Sequence, residues 1–321
     1  MANETVLVTG AAGFIGSHLC EALLRRGNRV VAVDSFDPFY DAAAKRSNLD
    51  EVRGAGGDFA FHELDLNDAD ALAAMMAEAK PATVVHLAAK AGVRPSIEDP
   101  IGYAHANVTA TAAVMEQARR AGAQRLVMAS SSSVYGNNEK APFSEDDPVE
   151  HPISPYAATK RSCELIAHTH HHLTGMPVAM LRFFTVFGPR QRPDLAITKF
   201  MRRIARGEPI TMFGDGSTSR DYTFVDDTVR GILAAMSRID EHGYRIWNLG
   251  GDHPMRLDEL IAAIGETVGR APVVERQPMQ PGDVERTWAD LRRSKAELGY
   301  ACETPIRDGL AAQWRWLEPR L

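Results

Sequence analysis

The strongest constraint on the fold lies in the first 26 residues of the chain. A short apolar, β-branched run (5–8) precedes the glycine-rich segment TGAAGFIG (9–16), and an amphipathic helical pattern follows over 17–26. A strand, a glycine-rich turn and a helix in this order form the dinucleotide-binding unit of parallel α/β folds. A glycine-rich turn without a ligand is the alternative, but the flanking elements favour a nucleotide site.

Each glycine of this segment has a separate expected role. Gly10 suits the tight turn, Gly13 lets the backbone approach a pyrophosphate, and Gly16 allows close packing of the helix. The free N–H groups and the positive dipole end of the helix would then face the phosphates. We therefore predict that Gly10, Gly13, Phe14, Ile15 and Gly16 contact the cofactor.

The second predicted strand (29–34) ends on an acid, Asp34, eighteen residues after Gly16. A carboxylate at this position accepts hydrogen bonds from both ribose hydroxyls and repels a 2′-phosphate. No arginine directly follows Asp34. Although Asp34 could instead be a turn residue at a strand end, the pattern favours NAD over NADP.

A tyrosine and a lysine lie four residues apart in the run SPYAATK (154–160). At this spacing Tyr156 and Lys160 share one helix face, and a nearby cation favours the phenolate form of a tyrosine. A phenolate beside the reactive carbon of a cofactor is a base for an alcohol proton. Such a pair also occurs by chance on solvated helices, so its weight comes from the nucleotide site that accompanies it.

The composition is that of an ordinary globular protein. The 321 residues are 45% hydrophobic and 24% charged, with a formal net charge of −6, which argues against a nucleic-acid partner. Cys20, Cys163 and Cys302 show no disulfide or metal spacing, as is usual in a reducing compartment. The first residues run directly into a strand, and no apolar run approaches membrane-spanning length. We expect a cytoplasmic protein.

Four histidines cluster at 168–172 and raise the question of a metal site. His168 and His172 stand at i and i+4 on a predicted helix, but no acid occupies the paired position and no third ligand is evident. A solvated, histidine-rich helix end explains the cluster better. We predict no metal.

Alternating strands and helices predict an α/β fold with a doubly wound, Rossmann-type parallel sheet. We expect further strands at 59–63, 83–87, 125–129 and 177–184, and helices at 68–79, 101–121 and 155–173. Beyond residue 188 the elements become shorter, with helices at 198–206, 226–238, 257–268 and 305–317. We predict an NAD-binding domain over 1–181 and a smaller, mainly substrate-binding α/β domain over 182–321, from which some segments return to the first. The site should lie in the cleft between them.

The motifs together resemble the extended short-chain dehydrogenase/reductase family, in the branch that acts on nucleotide sugars. The matching segments are TGAAGFIG (9–16), HLAA (86–89), SSSSVYG (130–136), YxxxK (156–160), RFFTVFGPR (182–190), RDYT (220–223), NLGG (248–251) and WAD (288–290). They span nearly the whole chain. Within the branch the sequence is most similar to the UDP-glucuronate 4-epimerases.

The resemblance implies a 4-epimerisation that passes through a 4-keto sugar with tightly bound NAD. Tyr156 would remove the 4-hydroxyl proton, Lys160 would hold the nicotinamide ribose, and Ser131 would hydrogen-bond the 4-oxygen. The family pattern adds cofactor contacts from Asp65, Leu66, Leu87, Ala88, Ala89 and Lys90. It also implies a homodimer that pairs through helices 101–121 and 155–173. For the serine run itself, capping of nearby backbone at a strand end is the alternative.

The expected substrate contacts come from Ser131, Ser132, Ser133, Tyr156, Thr185, Arg192, Phe213 and Arg220. Arg220 matches the family arginine that binds the UDP diphosphate, a task suited to its fixed fork of donors. Many relatives carry a second such arginine before the glycine of the 277–283 segment (QPMQPGD), and this chain does not. Arg192 or Arg286 could replace it, or each could be an exposed, solvated arginine.

The sugar carboxylate explains why hydroxyl residues are expected beside it. Oxidation of C4 makes a β-keto acid, which loses CO₂ when the carboxylate bond aligns with the carbonyl π system. Ser132, Ser133 and Thr185 could hold the carboxylate out of that alignment, with Arg192 lending charge nearby. Thr185 could also merely fill space at a strand end, since threonine favours strands.

Four alternatives remain open from the sequence. An NAD-sensing regulator would usually lack the tyrosine and lysine, and a 4,6-dehydratase would place an Asp-Glu pair at Ser132 and Ser133. A UDP-glucuronate decarboxylase typically has Glu at Ser133 and Asn at Thr185. A UDP-glucose 4-epimerase also has Asn at the Thr185 position, and it is the most serious alternative because it shares all the redox residues.

Overall fold

A parallel sheet forms the centre of the computed structural model, which describes residues 3–279 and 284–321. The strands are β1 (Thr5–Thr9), β2 (Arg29–Asp34), β3 (Phe59–Glu63), β4 (Thr83–His86), β5 (Arg125–Ser131), β6 (Val178–Phe183), β7 (Thr185–Phe187), β8 (Ile210–Phe213), β9 (Ser219–Phe224), β10 (Tyr244–Leu249), β11 (Pro254–Arg256) and β12 (Val274–Gln277). The central sheet has seven strands in the order β10-β6-β5-β4-β1-β2-β3. This is the Rossmann order with one added strand, as the sequence predicts.

The described α-helices cover both faces of this sheet or pack beside the smaller strands of the C-terminal half. They are α1 (Phe14–Arg25), α2 (Ala42–Gly54), α3 (Ala69–Ala79), α4 (Val93–Glu98), α5 (Pro100–Tyr103), α6 (Ala110–Arg120), α7 (Pro155–Thr174), α8 (Ala196–Arg206), α9 (Val225–Arg238), α10 (Leu257–Val268), α11 (Arg292–Leu298) and α12 (Ile306–Leu317). Within the described ranges, no helix is both long and apolar enough to cross a membrane.

Side-chain alternation along the strands divides the core into two layers. Val6 and Val8 of β1 join one buried cluster with Leu19 of α1, whereas Leu7 joins another with Met115 of α6. All three β1 residues have no exposed surface. Strands buried on both faces read as continuous apolar runs, which is why the periodicity of the sequence predicted a covered parallel sheet.

The structure differs from the sequence-based prediction in several local places, and the short helices α4 and α11 were not predicted. The helix α2 was missed, and the predicted strand 177–184 ends at Phe183, after which Thr185–Phe187 forms the separate strand β7. The helix expected over 101–121 contains a π-helical segment, Ala104–Thr109, between α5 and α6. Insertions of this kind are typical of functional sites.

The C-terminal half adds two small sheets, β11-β9-β7 and β12-β8, beside the central sheet. One strand of this half, β10, returns and pairs in parallel with β6. The expected boundary at 181/182 falls inside β6. The division into 1–181 and 182–321 remains a prediction, and below we call the chain up to β6 the cofactor half and the rest the substrate half.

Candidate active site

The glycine-rich turn lies at the point where the strand order reverses, between β1 and β4. Gly10 has a φ of +69°, and a Cβ added to it would lie 2.8 Å from the backbone nitrogen of Ala88. A Cβ on Gly16 would lie 2.1 Å from the carbonyl oxygen of Gly10. Only glycine therefore permits this turn and this approach of α1. The N-cap residue Gly13 gives α1 no side-chain cap, which leaves its first N–H groups available to phosphate oxygens.

Asp34 ends β2 at the same edge of the sheet. Its Oδ1 accepts a hydrogen bond from the Phe36 backbone nitrogen (2.9 Å), and its Oδ2 accepts one from that of Ala12 (3.2 Å). Burial raises the pKa of Asp34, while Lys45 and these two N–H groups oppose the rise. The carboxylate keeps acceptor capacity for ribose hydroxyls, because each oxygen can accept more than one hydrogen bond.

A cleft of about 860 Å³ opens above these elements. All of the residues predicted to contact the cofactor line it: Gly10, Gly13, Phe14, Ile15, Gly16, Asp34, Asp65, Leu66, Leu87, Ala88, Ala89, Lys90, Tyr156 and Lys160. The geometry thus fits a dinucleotide, with an uncapped helix N-terminus for the phosphates and an acid at the end of β2.

Local sequence explains how α7 presents its two functional side chains. Ser154 is the N-cap and accepts a hydrogen bond from Ala157 (3.1 Å), and a proline follows at the first helical position. Tyr156 therefore lies in the first turn, half-buried, and Lys160 lies one turn later. The Lys160 ammonium donates to the carbonyl oxygen of Ala129 on β5 (2.9 Å), so α7 is tied to the strand that ends at Ser131.

Ser131 lines the same cleft and also caps the short 3₁₀ helix 132–135. Its hydroxyl oxygen accepts a hydrogen bond from the Ser133 backbone nitrogen (3.1 Å), and its proton points at the Ser133 hydroxyl (3.2 Å). Ser131 therefore does cap nearby backbone, as the alternative interpretation of the serine run expects. This capping is compatible with a substrate contact, because a hydroxyl can accept two hydrogen bonds and rotates its donor freely.

A buried ion pair supports the strand end that carries Ser131. Glu164 of α7 is fully buried and accepts hydrogen bonds from Ser130 (2.7 Å) and from Arg182 of β6 (2.8 and 2.9 Å). Burial would raise the pKa of Glu164, but the hydrogen bonds and charge of Arg182 outweigh it and leave the pKa lowered. The pair fixes α7, β5 and β6 against one another directly beneath the cleft.

A smaller cavity of about 180 Å³ adjoins the cleft. Its lining contains Ser132, Ser133 and Thr185 together with Arg220. Among the described residues that line it, none is an Asp or a Glu. Thr185 also lines the large cleft, so it stands where the two spaces meet.

Three predicted or considered substrate residues lie elsewhere. Arg192 lines the large cleft, where it pairs with Asp194 and lies 4.8 Å from the Phe39 ring centre, not in the cavity of the serines. Phe213 lines neither space and packs under Arg94 (5.0 Å). Arg286 donates to a carbonyl of the 137–141 loop. Residues 280–283, where the second diphosphate arginine is missing, lie outside the described residues.

Sequence reasoning missed Asn107, which sits in the π-helical segment. Its amide accepts from the Lys90 nitrogen (2.8 Å) and donates to the Lys90 oxygen (3.0 Å), which fixes one wall of the cleft. It also donates to Thr159 of α7 (3.0 Å). An asparagine in the middle of a predicted helix is unfavourable without such bonds, and that was the available signal.

The histidine cluster packs against the end of the sheet. The rings of His168 and His171 contact Tyr244, at 5.1 and 6.3 Å between ring centres. Over residues 3–279 and 284–321, no group of three or more metal-ligating side chains is present.

Comparison with protein families adds a direct match. Residues 6–250 match the model of the NAD dependent epimerase/dehydratase family. The chain belongs to this family. The match confirms the family resemblance that the motifs indicated, and it covers the glycine turn, Tyr156, Lys160 and the serine run.

Individual relatives sharpen the comparison. The UDP-glucuronate 4-epimerase of Thermodesulfobacterium geofontis is 39% identical over 97% of this chain and 95% of its own length. A Bacillus cereus UDP-glucuronic acid 4-epimerase, crystallised with UDP-glucuronic acid and NAD, superposes with a TM-score of 0.92 at 34% identity, over 99% and 100% of the two chains. A Thermotoga maritima UDP-glucose 4-epimerase with UDP-glucose gives 0.89 at 30% identity, over 98% and 99%.

Proposed function

We propose that this protein is a UDP-glucuronate 4-epimerase, which interconverts UDP-glucuronate and UDP-galacturonate and keeps NAD bound. The observation that carries the proposal is the small cavity, where Ser132, Ser133, Thr185 and Arg220 adjoin the cleft of Tyr156 and Lys160. An anionic sugar would meet hydroxyl donors there, and the described residues that line the cavity include no acidic side chain. The epimerases named above support the assignment by their similarity to this chain.

The side chains of the cleft divide the work of the reaction. NAD, held along the glycine turn and at Asp34, would supply a hydride acceptor and donor for C4 of the sugar. Tyr156 accepts the 4-hydroxyl proton as the hydride leaves and gives it back as the 4-keto sugar is reduced. Lys160 lies one helical turn away in the same cleft, where it would hold the nicotinamide ribose. Ser131 donates to the 4-oxygen and holds it at the base.

The carboxylate of the sugar requires separate control. Once C4 is a ketone, the sugar is a β-keto acid, and CO₂ is lost if the carboxylate bond stands perpendicular to the carbonyl plane. Ser132, Ser133 and Thr185 can hydrogen-bond the carboxylate and hold it near that plane while the ring turns. Decarboxylases place a glutamate, and therefore an acid, at the position that Ser133 occupies in this chain.

The test is incubation of the purified protein with UDP-glucuronate or UDP-glucose without added NAD. We expect UDP-galacturonate to form from the first substrate with little CO₂, and NAD to be recovered from denatured protein. Faster epimerisation of UDP-glucose than of UDP-glucuronate would place the chain with the neutral-sugar epimerases.

We further propose a cytoplasmic homodimer. Ile101 of α5 and Leu165 and Leu173 of α7 are 83%, 54% and 75% exposed, and apolar side chains on these helices would be covered by a second copy. Sedimentation of the wild type and of Leu165→Glu tests this proposal: we expect a dimer for the first and a monomer for the second. A monomeric wild type would contradict it.

A further inference from the structure

Three of the family motifs meet in the substrate half at one side chain, Asp221. This aspartate has no exposed surface and lies on β9, next to Arg220. Its Oδ1 accepts a hydrogen bond from the Gly251 nitrogen, in the NLGG motif. Its Oδ2 accepts one from the Ala289 nitrogen (2.9 Å), in the WAD motif. Neither motif contributes a residue to the chemistry described above.

The packing around this carboxylate is tight enough to dictate the residues near it. A Cβ on Gly250 would lie 2.9 Å from Asp221 Oδ2 and 2.4 Å from the Cβ of Ala289. A Cβ on Gly251 would lie 2.8 Å from Asp221 Oδ1 and 2.1 Å from the oxygen of Tyr222. The paired glycines of the NLGG motif are therefore required by the close approach of that loop to the aspartate.

The same strand forms one wall of the small cavity. The Asp221 nitrogen donates to the Thr287 hydroxyl (3.1 Å), and the Thr287 nitrogen donates to the Ser219 oxygen (3.1 Å). Thr287, Val284 and Arg220 all line the cavity. The segment that Asp221 anchors through Ala289 is thus the segment that faces the substrate.

We propose that Asp221 is a positioning residue for the UDP-sugar: its carboxylate fixes the 250–251 loop and the 284–289 segment against β9, and so holds Arg220 and Thr287 at the cavity wall. This inference rests on the proposed function. It assigns Asp221 to substrate affinity and leaves the proton and hydride transfers to the cofactor half.

The electrostatics argue against a purely stabilising role. Among the described residues, the hydrogen bonds to the Asp221 carboxylate come from backbone N–H groups, and it forms no ion pair with Lys or Arg. Burial raises its pKa to about 6, and the charge of Asp252 adds to the rise. The other titratable groups that face it are Tyr300 and Cys302. A buried carboxylate without a cationic partner costs stability, and such costs are typically retained at functional sites.

The experiment compares Asp221→Asn with Asp227→Asn. Asparagine keeps the shape but turns an NH₂ donor toward one of the two N–H groups, which frees either the loop or the segment. We expect the KM for UDP-glucuronate to rise about tenfold, as for the loss of one hydrogen bond to a charged group. The kcat and the bound NAD should stay close to their wild-type values, whereas misfolding would lower kcat and leave KM unchanged.

Asp227 is the control because it too is fully buried and accepts from the backbone nitrogens of Glu303 (3.1 Å) and Thr304 (3.2 Å), but it lines neither space; unlike Asp221, it also pairs with Arg230. Its variant should retain the wild-type KM. An unchanged KM in Asp221→Asn, or an equal rise in Asp227→Asn, would overturn the inference.

A second measurement uses the wild type and does not depend on folding of a variant. The KM for UDP-glucuronate should rise as the pH falls through about 6, because a protonated carboxyl presents an O–H to one N–H. A KM that is flat across this range would overturn the inference. If the wild type does not epimerise UDP-glucuronate, the proposed function fails, and calorimetric binding of UDP-glucose to wild type and Asp221→Asn decides the positioning role by the same tenfold criterion.

Discussion

Glu164 in the cofactor half and Asp221 in the substrate half are both fully buried carboxylates, and their hydrogen-bond donors differ in kind. In the cofactor half, Glu164 meets the guanidinium groups of Arg182 and Arg161 and the hydroxyl of Ser130. In the substrate half, Asp221 meets only N–H groups of the backbone among its hydrogen-bond donors. The first arrangement stabilises a rigid platform for the chemistry. The second holds the 250–251 loop and the 284–289 segment at the cavity wall, at a cost in the free energy of unfolding.

The two carboxylates therefore give stability opposite pH dependences. The lowered pKa of Glu164 means that its contribution is present above its unfolded pKa and is lost as the pH falls through the folded value. The raised pKa of Asp221 means that its contribution is complete below the usual value and is lost as the pH rises through about 6. At neutral pH the ionised Glu164 therefore contributes to the free energy of unfolding, whereas Asp221 does not.

The largest expected effect separates chemistry from binding. Tyr156→Phe removes the proton acceptor and keeps the ring, so turnover should fall by ~10²–10⁴-fold or more. Binding of UDP-glucuronate, measured by calorimetry, should remain nearly intact. Tyr103→Phe is the control, because its ring packs edge-on against Tyr156 and its hydroxyl donates only to the Ala91 oxygen (3.3 Å). Near-normal turnover in Tyr156→Phe would contradict the role of Tyr156 as the proton acceptor.

The next effect tests the platform of the cofactor half. Glu164→Ala leaves Arg182 buried without its partner, so the free energy of unfolding should fall by about 3–5 kcal/mol in denaturant titrations. Glu116→Ala is the matched control, since Glu116 also pairs with two arginines but on the surface of α6, and its loss should change stability little. Equal losses in the two variants would show that burial of the pair is irrelevant.

A smaller effect concerns the choice of cofactor. Asp34→Ser should weaken NAD binding by about ten- to a hundredfold, through loss of hydrogen bonds to a charged group, and relax discrimination against NADP. Asp41→Ala, which removes a nearby acid that only caps α2, should alter neither. A wild type that prefers NADP would contradict the interpretation of the β2 end.

The smallest effect should appear in the products. Thr185→Val is expected to slow turnover of UDP-glucuronate and to raise the fraction released as UDP-pentose, because Thr185 lines the cavity assigned to the carboxylate. Thr223→Val is the control, because Thr223 on β9 is the strand partner of Val186 on β7 and its buried hydroxyl has no hydrogen-bond partner among the described residues. An unchanged pentose fraction in Thr185→Val would mean that Thr185 only fills space at the start of β7.

The sequence predicted the cofactor half in more detail than the substrate half, and the reason is physical. The glycine turn, Asp34 and the Tyr156–Lys160 pair are set by neighbours within a few residues, so spacing alone predicts their placement. The contacts of Asp221 join residues 30 and 68 positions apart, and no local pattern reports them. The position of Asn107 depends on a π-helical insertion, and the formation of α2 depends on packing of Leu49 against Phe36. The hydrophobic periodicity of the sequence predicts neither.

The proposed mechanism requires that one site takes the hydride from C4 of UDP-glucuronate and returns it to the same carbon. The decisive experiment uses UDP-glucuronate deuterated at C4, with the UDP-galacturonate product examined by mass spectrometry and NMR. The product should keep the deuterium at C4 with inverted configuration and gain no hydrogen from water there. Exchange of the label with solvent, or a labelled product without inversion at C4, would contradict the mechanism.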